Sequence, residues 1–214
     1  MEVVYAKNDT YKSCDEGILG LVGDITYIEN YLDLDGVAYK DEWTVKRLLN
    51  GLRFKTNPRL IGIFNYLDID MKYLSYKIGD LSHTIFKYVM LAYLLLNNKR
   101  FIIFDNFDIG LTYKEQKKFI NICRKLREDN FKIIIITNNI VLLSKVADEI
   151  DIIHDDDLVF EGTAEDLLKK KRLIKDVSII DFIQCANDKK ARLAFTFDRN
   201  ELIKDIQRSL SWDI

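Results

Sequence analysis

Between Leu81 and Thr112 the chain changes its hydrophobic period twice, predicting a helix, a turn, a strand and the start of another helix. Ser82 is placed to cap the first helix, whose apolar residues Val89, Leu91, Ala92, Leu94, Leu95 and Leu96 nearly encircle it. Asn97 and Asn98 end it. Phe101-Ile102-Ile103-Phe104 is an unbroken apolar run, the pattern of a central strand covered on both faces. The run ends in Asp105, at the carboxyl edge of the expected sheet, where α/β folds place ligands.

Downstream, Thr112 and Glu115 have the spacing of a capping box, and Phe119, Ile122, Cys123 and Leu126 share one face of the helix it opens. Asn130 ends that helix. Lys132 to Thr137 reads as a second buried strand, and residues 140–147 as a helix. Ile150–His154 and Leu158–Glu161 read as strands around the acidic turn Asp155-Asp156-Asp157, with Thr163 and Asp166 capping a following helix. Three consecutive aspartates in a turn point in different directions, which makes a solvated turn the better reading than a metal site. Upstream, Val3-Val4-Tyr5 suggests an edge strand, and the glycine pattern from Gly17 through Gly20 to Gly23 reads as strand and turn. Residues 45–80 alternate helix-like stretches with polar turns. In the tail, a strand at Leu193–Phe197 and an amphipathic helix at Glu201–Leu210 are expected.

Composition narrows the chemistry. The 214 residues are 48% hydrophobic, enough for one domain with a substantial core, or one domain with a small appendage. Lysine and arginine (32) nearly balance aspartate and glutamate (34), so overall charge gives no case for direct nucleic-acid contact. The basic runs Arg53–Lys55 and Lys169–Arg172 read as solvated surface, with partner or membrane-headgroup contact as the alternative. Cys14, Cys123 and Cys185 are odd in number and far apart, fitting neither a disulfide framework nor a zinc site, and two histidines leave little for metal catalysis. No apolar run is long enough to span a bilayer, and MEVVYAKND has no secretory pattern. The expectation is a cytoplasmic chain, peripheral at the inner face of a membrane if it serves a membrane machine.

The order of these elements resembles the ATP-binding cassette (ABC) ATPases. Leu81-Ser82-His83-Thr84-Ile85 stands where that family carries its LSGGQ signature, Asp105-Asn106 where it carries the Walker B Asp-Glu, and Gly110-Leu111-Thr112 where it carries the D-loop Gly-Leu-Asp. Glu16 to Tyr31 resembles the strand that leads into the Q-loop, with Ile25, Tyr27 and Ile28 as core strand residues and Asn30 at the glutamine position. Thr44-Val45 resembles the opening of the helical subdomain, and Glu161–Leu168 the segment after the last cassette strands. The resemblance implies an α/β fold of the P-loop-NTPase type: an ABC core sheet with an α-helical subdomain and a truncated N-terminal part. Residues 1–170 would form this domain, with the helical subdomain at about 45–97, and residues 171–214 a C-terminal appendage. Phe54, Phe64, Tyr66, Tyr73 and Tyr76 would either line a groove for a permease helix or pack within the helical layer.

Order and spacing fit, while the catalytic letters differ. No GxxxxGK[ST] phosphate loop occurs in the 214 residues. Asn106 stands at the catalytic glutamate position, where a neutral amide cannot accept a proton, and Asn138 at the switch histidine position. Phe107 replaces the usual proline. Asp105 is a candidate magnesium carboxylate or a structural one. Ser82 is a candidate phosphate donor at a helix N-terminus as well as a cap, although His83 and Thr84 replace the glycines that permit close approach. Asn30 is a candidate nucleotide contact one methylene shorter than glutamine.

The resemblance therefore implies a pseudo-ATPase, a structural or regulatory partner of a competent ABC ATPase or permease subunit, in a homo- or heterodimer. On this reading Mg-ATP is a cofactor only where a partner completes the site, and the membrane is reached only through a partner. Two alternatives stand beside it: a subunit of an ATP-hydrolysing heteromeric transporter that contributes Ser82 to a composite site, and a soluble interaction protein regulating an ABC-type ATPase.

Overall fold

A computed structural model of the chain describes residues 4–7, 10–13, 17–23, 27–28, 39–50, 58–98, 100–155, 157–174, 177–189 and 191–210. Its centre is a five-stranded sheet built from β3 (Ile18–Val22), β5 (Phe101–Asp105), β6 (Lys132–Ile136), β7 (Glu149–His154) and β8 (Asp157–Gly162), in the order β5-β6-β3-β7-β8. The first four run parallel, and β8 joins β7 antiparallel across the acidic turn. The unbroken apolar runs are buried on both faces, as parallel strands require. Ile18, Ile102, Phe104, Ile133, Ile135 and Ile150 face the main helical core, while Leu19, Leu21, Ile103, Ile134 and Ile136 form a second cluster on the opposite face.

The N-terminal segment departs from expectation. The strand entering the main sheet is β3, and Tyr27-Ile28 (β4) instead pairs antiparallel with β1 (Val4–Lys7), which also pairs with β2 (Thr10–Ser13), in a separate three-stranded sheet. Ile25 and Asn30 lie outside the described residues. Gly23, just past β3, has φ +115, and a Cβ there would run into the carbonyl oxygen of Ile153, so only glycine fits where β3 ends. Gly20, within the strand, lets α5 (Ile140–Val146) approach: its Cβ would lie 2.9 Å from Leu143.

The helices are α1 (Val45–Asn50), α2 (Pro58–Tyr66), α3 (His83–Leu96), α4 (Tyr113–Glu128), α5, α6 (Ala164–Leu168), α7 (Ser178–Asp188) and α8 (Arg199–Leu210). Their ends follow the capping chemistry in the sequence. Ser82 accepts a hydrogen bond from Ile85 N at 3.3 Å, Thr112 and Glu115 form a reciprocal capping box, and Thr163 caps α6. Asn98 and Asn130 terminate α3 and α4 with positive φ, a conformation asparagine adopts more readily than most residues. Cys123 is fully buried on the core face of α4, and burial raises its thiol pKa well above the ordinary value. Among the aromatics of residues 58–80, Phe64 is fully buried in the core, Tyr66 donates its hydroxyl to Asp129 Oδ2 at 3.0 Å, and Tyr73 packs edge-on against the more exposed Tyr76. Packing, not a groove, accounts for Phe64; Phe54 lies outside the described residues.

The tail differs from its sequence reading. Leu193–Phe197 forms no strand. Leu193 N donates to Asn187 Oδ1, and Ala194 N donates to Asp205 Oδ2 at 2.7 Å, so side chains of α7 and α8 take the place of a sheet partner. The helix α7 has no counterpart in the sequence reading. Ile174, Ile180 and Phe197 enter the main core cluster, while Ile183, Leu193 and Leu202 form a satellite under the two helices.

Candidate functional site

The carboxyl edge of the sheet gathers the ends of β5, β6 and β3. Asp105 is in register with Ile136, and Thr137 N donates to Leu21 O at 3.0 Å, which fixes the three strand ends side by side. This edge is also where the chain order reverses across the sheet: from β3 it runs out to β5 and β6, then crosses to β7 on the other side. Parallel sheets present ligand crevices at such points.

Asp105 is exposed, and its carboxylate accepts a hydrogen bond from Asn106 Nδ2 at 2.9 Å. Asn106 has φ +46, and its backbone N donates to Ile136 O at 2.8 Å. The chain thus turns sharply off the end of β5, with the Asn106 amide folded back on the carboxylate. Asn138 is exposed just beyond β6. The sheet therefore brings Asp105, Asn106 and Asn138 to one edge. Ser82 is not part of it. It sits exposed at the N-terminus of α3, where its hydroxyl caps the helix. Asn30, the remaining predicted residue, lies outside the described residues.

Behind the edge is a buried polar cluster that the sequence reading missed. Lys87 on α3 is 8% exposed, and its ammonium donates to Phe107 O at 2.8 Å and Ile109 O at 2.9 Å. Burial lowers its pKa from the ordinary lysine value, opposed by the negative charge of Asp108. Asp108, equally buried, accepts from Asn139 Nδ2 at 3.2 Å through Oδ2. Asn139 in turn caps α5, its Oδ1 accepting from Leu142 N at 3.0 Å. Lys87, Asp108 and Asn139 thereby tie the helix after Ser82, the loop after Asp105 and the turn at Asn138 into one unit. Lys87 could have been found from spacing: it lies three and four residues before the buried Met90 and Leu91, on the core side of its helix. Asp108 and Asn139 carry no such local signal.

The loop is also held by aromatic packing. Phe107 is 3% exposed, stacked on Phe119 at 4.8 Å and edge-on to Phe104 and Tyr88 at 5.0 and 5.6 Å. Phe107 is thus a packing anchor that fixes the loop leaving Asp105.

Among the described residues no helix is long and apolar enough to cross a membrane, and no group of three or more metal-binding side chains occurs. No family model matches the chain. A protein of Pyrococcus abyssi, provisionally named an ABC transporter ATP-binding protein, is 32% identical over 116 residues, which cover 54% of this chain and 44% of that protein. The chain thus spans less than half the length of that relative. A dimeric bacterial ABC transporter cassette superposes with a TM-score of 0.57 at 13% identity, over 77% of this chain and 99% of that one. An inward-facing transporter of the metal-chelate ABC type gives 0.61 at 10% identity, over 81% and 88%. At these identities the structures establish a shared fold, and the sequence match carries the kinship: the chain is a homologue of the ATP-binding cassette domain of ABC transporters.

Proposed function

We propose that this chain is a degenerate cassette that does not itself hydrolyse ATP and serves as a structural or regulatory partner of a competent ATPase or permease subunit. The observation that carries the reading is the Asp105–Asn106 pair. An amide follows the strand-terminal carboxylate and hydrogen-bonds to it, where hydrolysis of the family's type needs a group able to accept a proton or orient water. Asn138, likewise without an acid–base function, faces the same edge.

The described residues also fit a magnesium–nucleotide group poorly. Asp105 has the chemistry of a magnesium ligand. A phosphate cradle, however, needs open space over glycine amides and a lysine reaching in. The space over Gly23 at the end of β3 is taken by the carbonyl of Ile153, and Lys87, buried behind the edge, is committed to two carbonyl oxygens.

A calorimetric titration of the purified chain with Mg-ATP, paired with a hydrolysis assay, tests this directly. No turnover is expected, and no saturable binding up to millimolar nucleotide. Turnover by the chain alone that disappears in Asp105→Ala would overturn the proposal.

One observation favours a second reading, a subunit of an ATP-hydrolysing heteromer. Ser82 is exposed at the start of a 14-residue helix, where a hydroxyl and backbone amides can meet a partner's phosphate. Ser82→Ala is expected to cost about 1 kcal/mol of stability through loss of the cap in either case. In an assembled complex it would also slow hydrolysis without dissociating the subunits. An unchanged rate removes the composite site.

A further inference from the structure

Between the cassette core and the two C-terminal helices lies a groove of about 480 Å³. α4 contributes Tyr113, α5 contributes Val141 and Lys145, α7 contributes Phe182, and α8 contributes Arg199 and Leu202. Leu202 is buried, whereas Tyr113 and Phe182 are 59% and 53% exposed, an unusual degree for large aromatics flanking a concave surface. The charge is one-sided. Among the described residues, Lys145 and Arg199 line the groove and no carboxylate does. Lys117 sits 4.5 Å from the centre of the Tyr113 ring and adds a third cation at the mouth. The nearby acids of α8 are turned to other work: Glu201 accepts from the Thr196 hydroxyl at 2.7 Å, and Asp205 from Ala194 N. On α7, Asp181 is exposed and Asp188 accepts from Gln184 at 2.7 Å; neither lines the groove.

We infer that this groove is a docking site for a segment of a partner protein that carries bulky apolar side chains flanked by carboxylates. The apolar walls can take two or three side chains, and aromatic and arginine anchors are the residues that dominate such contacts. The cations select an acidic sequence by complementarity and steer its approach. A lipid surface would use the same cations, but a groove recessed between four helices suits an inserted side chain better than a flat bilayer. The surface is independent of nucleotide chemistry, so it can exist whether or not the sheet edge binds ATP.

The test is selection of random dodecapeptides displayed on phage against the full chain, after depletion on the Phe182→Glu variant. Phe182 is exposed, so this variant is expected to keep the circular dichroism and melting profile of the parent; Tyr113→Ala provides an independent change at the opposite wall. Enriched peptides should combine aromatic or aliphatic residues with aspartate and glutamate. A synthetic copy of the strongest binder should lose at least about tenfold in affinity to Phe182→Glu, to Tyr113→Ala and to a Lys145→Glu/Arg199→Glu double variant. The inference is overturned if no peptide discriminates parent from variant, or if the enriched peptides are neutral or basic. It is also overturned if Phe182→Glu abolishes flotation with phosphatidylserine vesicles, which would assign the face to a membrane, or dissociates a dimer of the chain, which would assign it to a second copy.

Discussion

Phe107→Ala is expected to lower the stability of the chain by about 3–5 kcal/mol, the range for removing a buried phenylalanine. The loss has two parts. A large apolar side chain is removed from a site 3% exposed, and its three close ring contacts, with Phe119, Phe104 and Tyr88, are lost together. Each aromatic pair adds roughly 0.5–1.5 kcal/mol beyond its buried area. The cavity cannot collapse easily, because Phe104 is fixed in β5 and Phe119 in α4, elements held by their own hydrogen bonds. Urea denaturation should show a lower midpoint with an unchanged slope. A loss below about 1.5 kcal/mol would mean that the loop repacks and that Phe107 is not its anchor.

Lys87→Met should cost about 2–4 kcal/mol, because a buried ammonium that bonds two carbonyl oxygens is replaced by a side chain that can satisfy neither. Methionine preserves most of the apolar stem, so the change reports on the head group. The carbonyls of Phe107 and Ile109 and the buried carboxylate of Asp108 lose their neighbouring cation at once. Faster amide exchange is expected in residues 106–111, ahead of any exchange in β5. The pH dependence supplies a second signature. Burial holds the folded-state pKa of Lys87 below the 10.5 of a free lysine. Across the window between those values the unfolded chain binds the extra proton, so this residue's contribution to stability rises with pH there. The rise should be present in the parent and absent from the methionine variant. Matching alkaline profiles in the two would argue that the ammonium is not buried. Because the Lys87 ammonium lies 5.3 Å from the Phe107 ring, the double variant should lose less than the sum of the single losses.

Both changes act on the loop that carries Asp105 away from the sheet, and neither touches Asp105 itself. The loop is thus held by a buried ring cluster on one side and a buried ammonium on the other.

Much of this could be read from the sequence because it is local. Helix ends are set by residues a few positions apart, so Ser82, Thr112 with Glu115, and Thr163 announce their caps in one dimension. Strands buried on both faces are unbroken apolar runs, and β5 and β6 were legible for that reason. The identities of Asp105, Asn106 and Asn138, and their positions just past those strands, were visible in the same way.

What the tertiary structure alone decided is non-local. Nothing in residues 16–31 says that β3 sits between β6 and β7 while Tyr27-Ile28 joins another sheet; the end of β3 at Gly23 is packed against the carbonyl of Ile153, 130 residues further on. Leu193–Phe197 has the composition of a strand, yet its backbone is bonded by Asn187 and Asp205, which removes the need for a sheet partner. Lys87, Asp108 and Asn139 belong to three separate segments and become one cluster only when the helix, the loop and the turn are packed together. A buried polar group is stable only where its partner is supplied, and here the partner comes from distant parts of the chain.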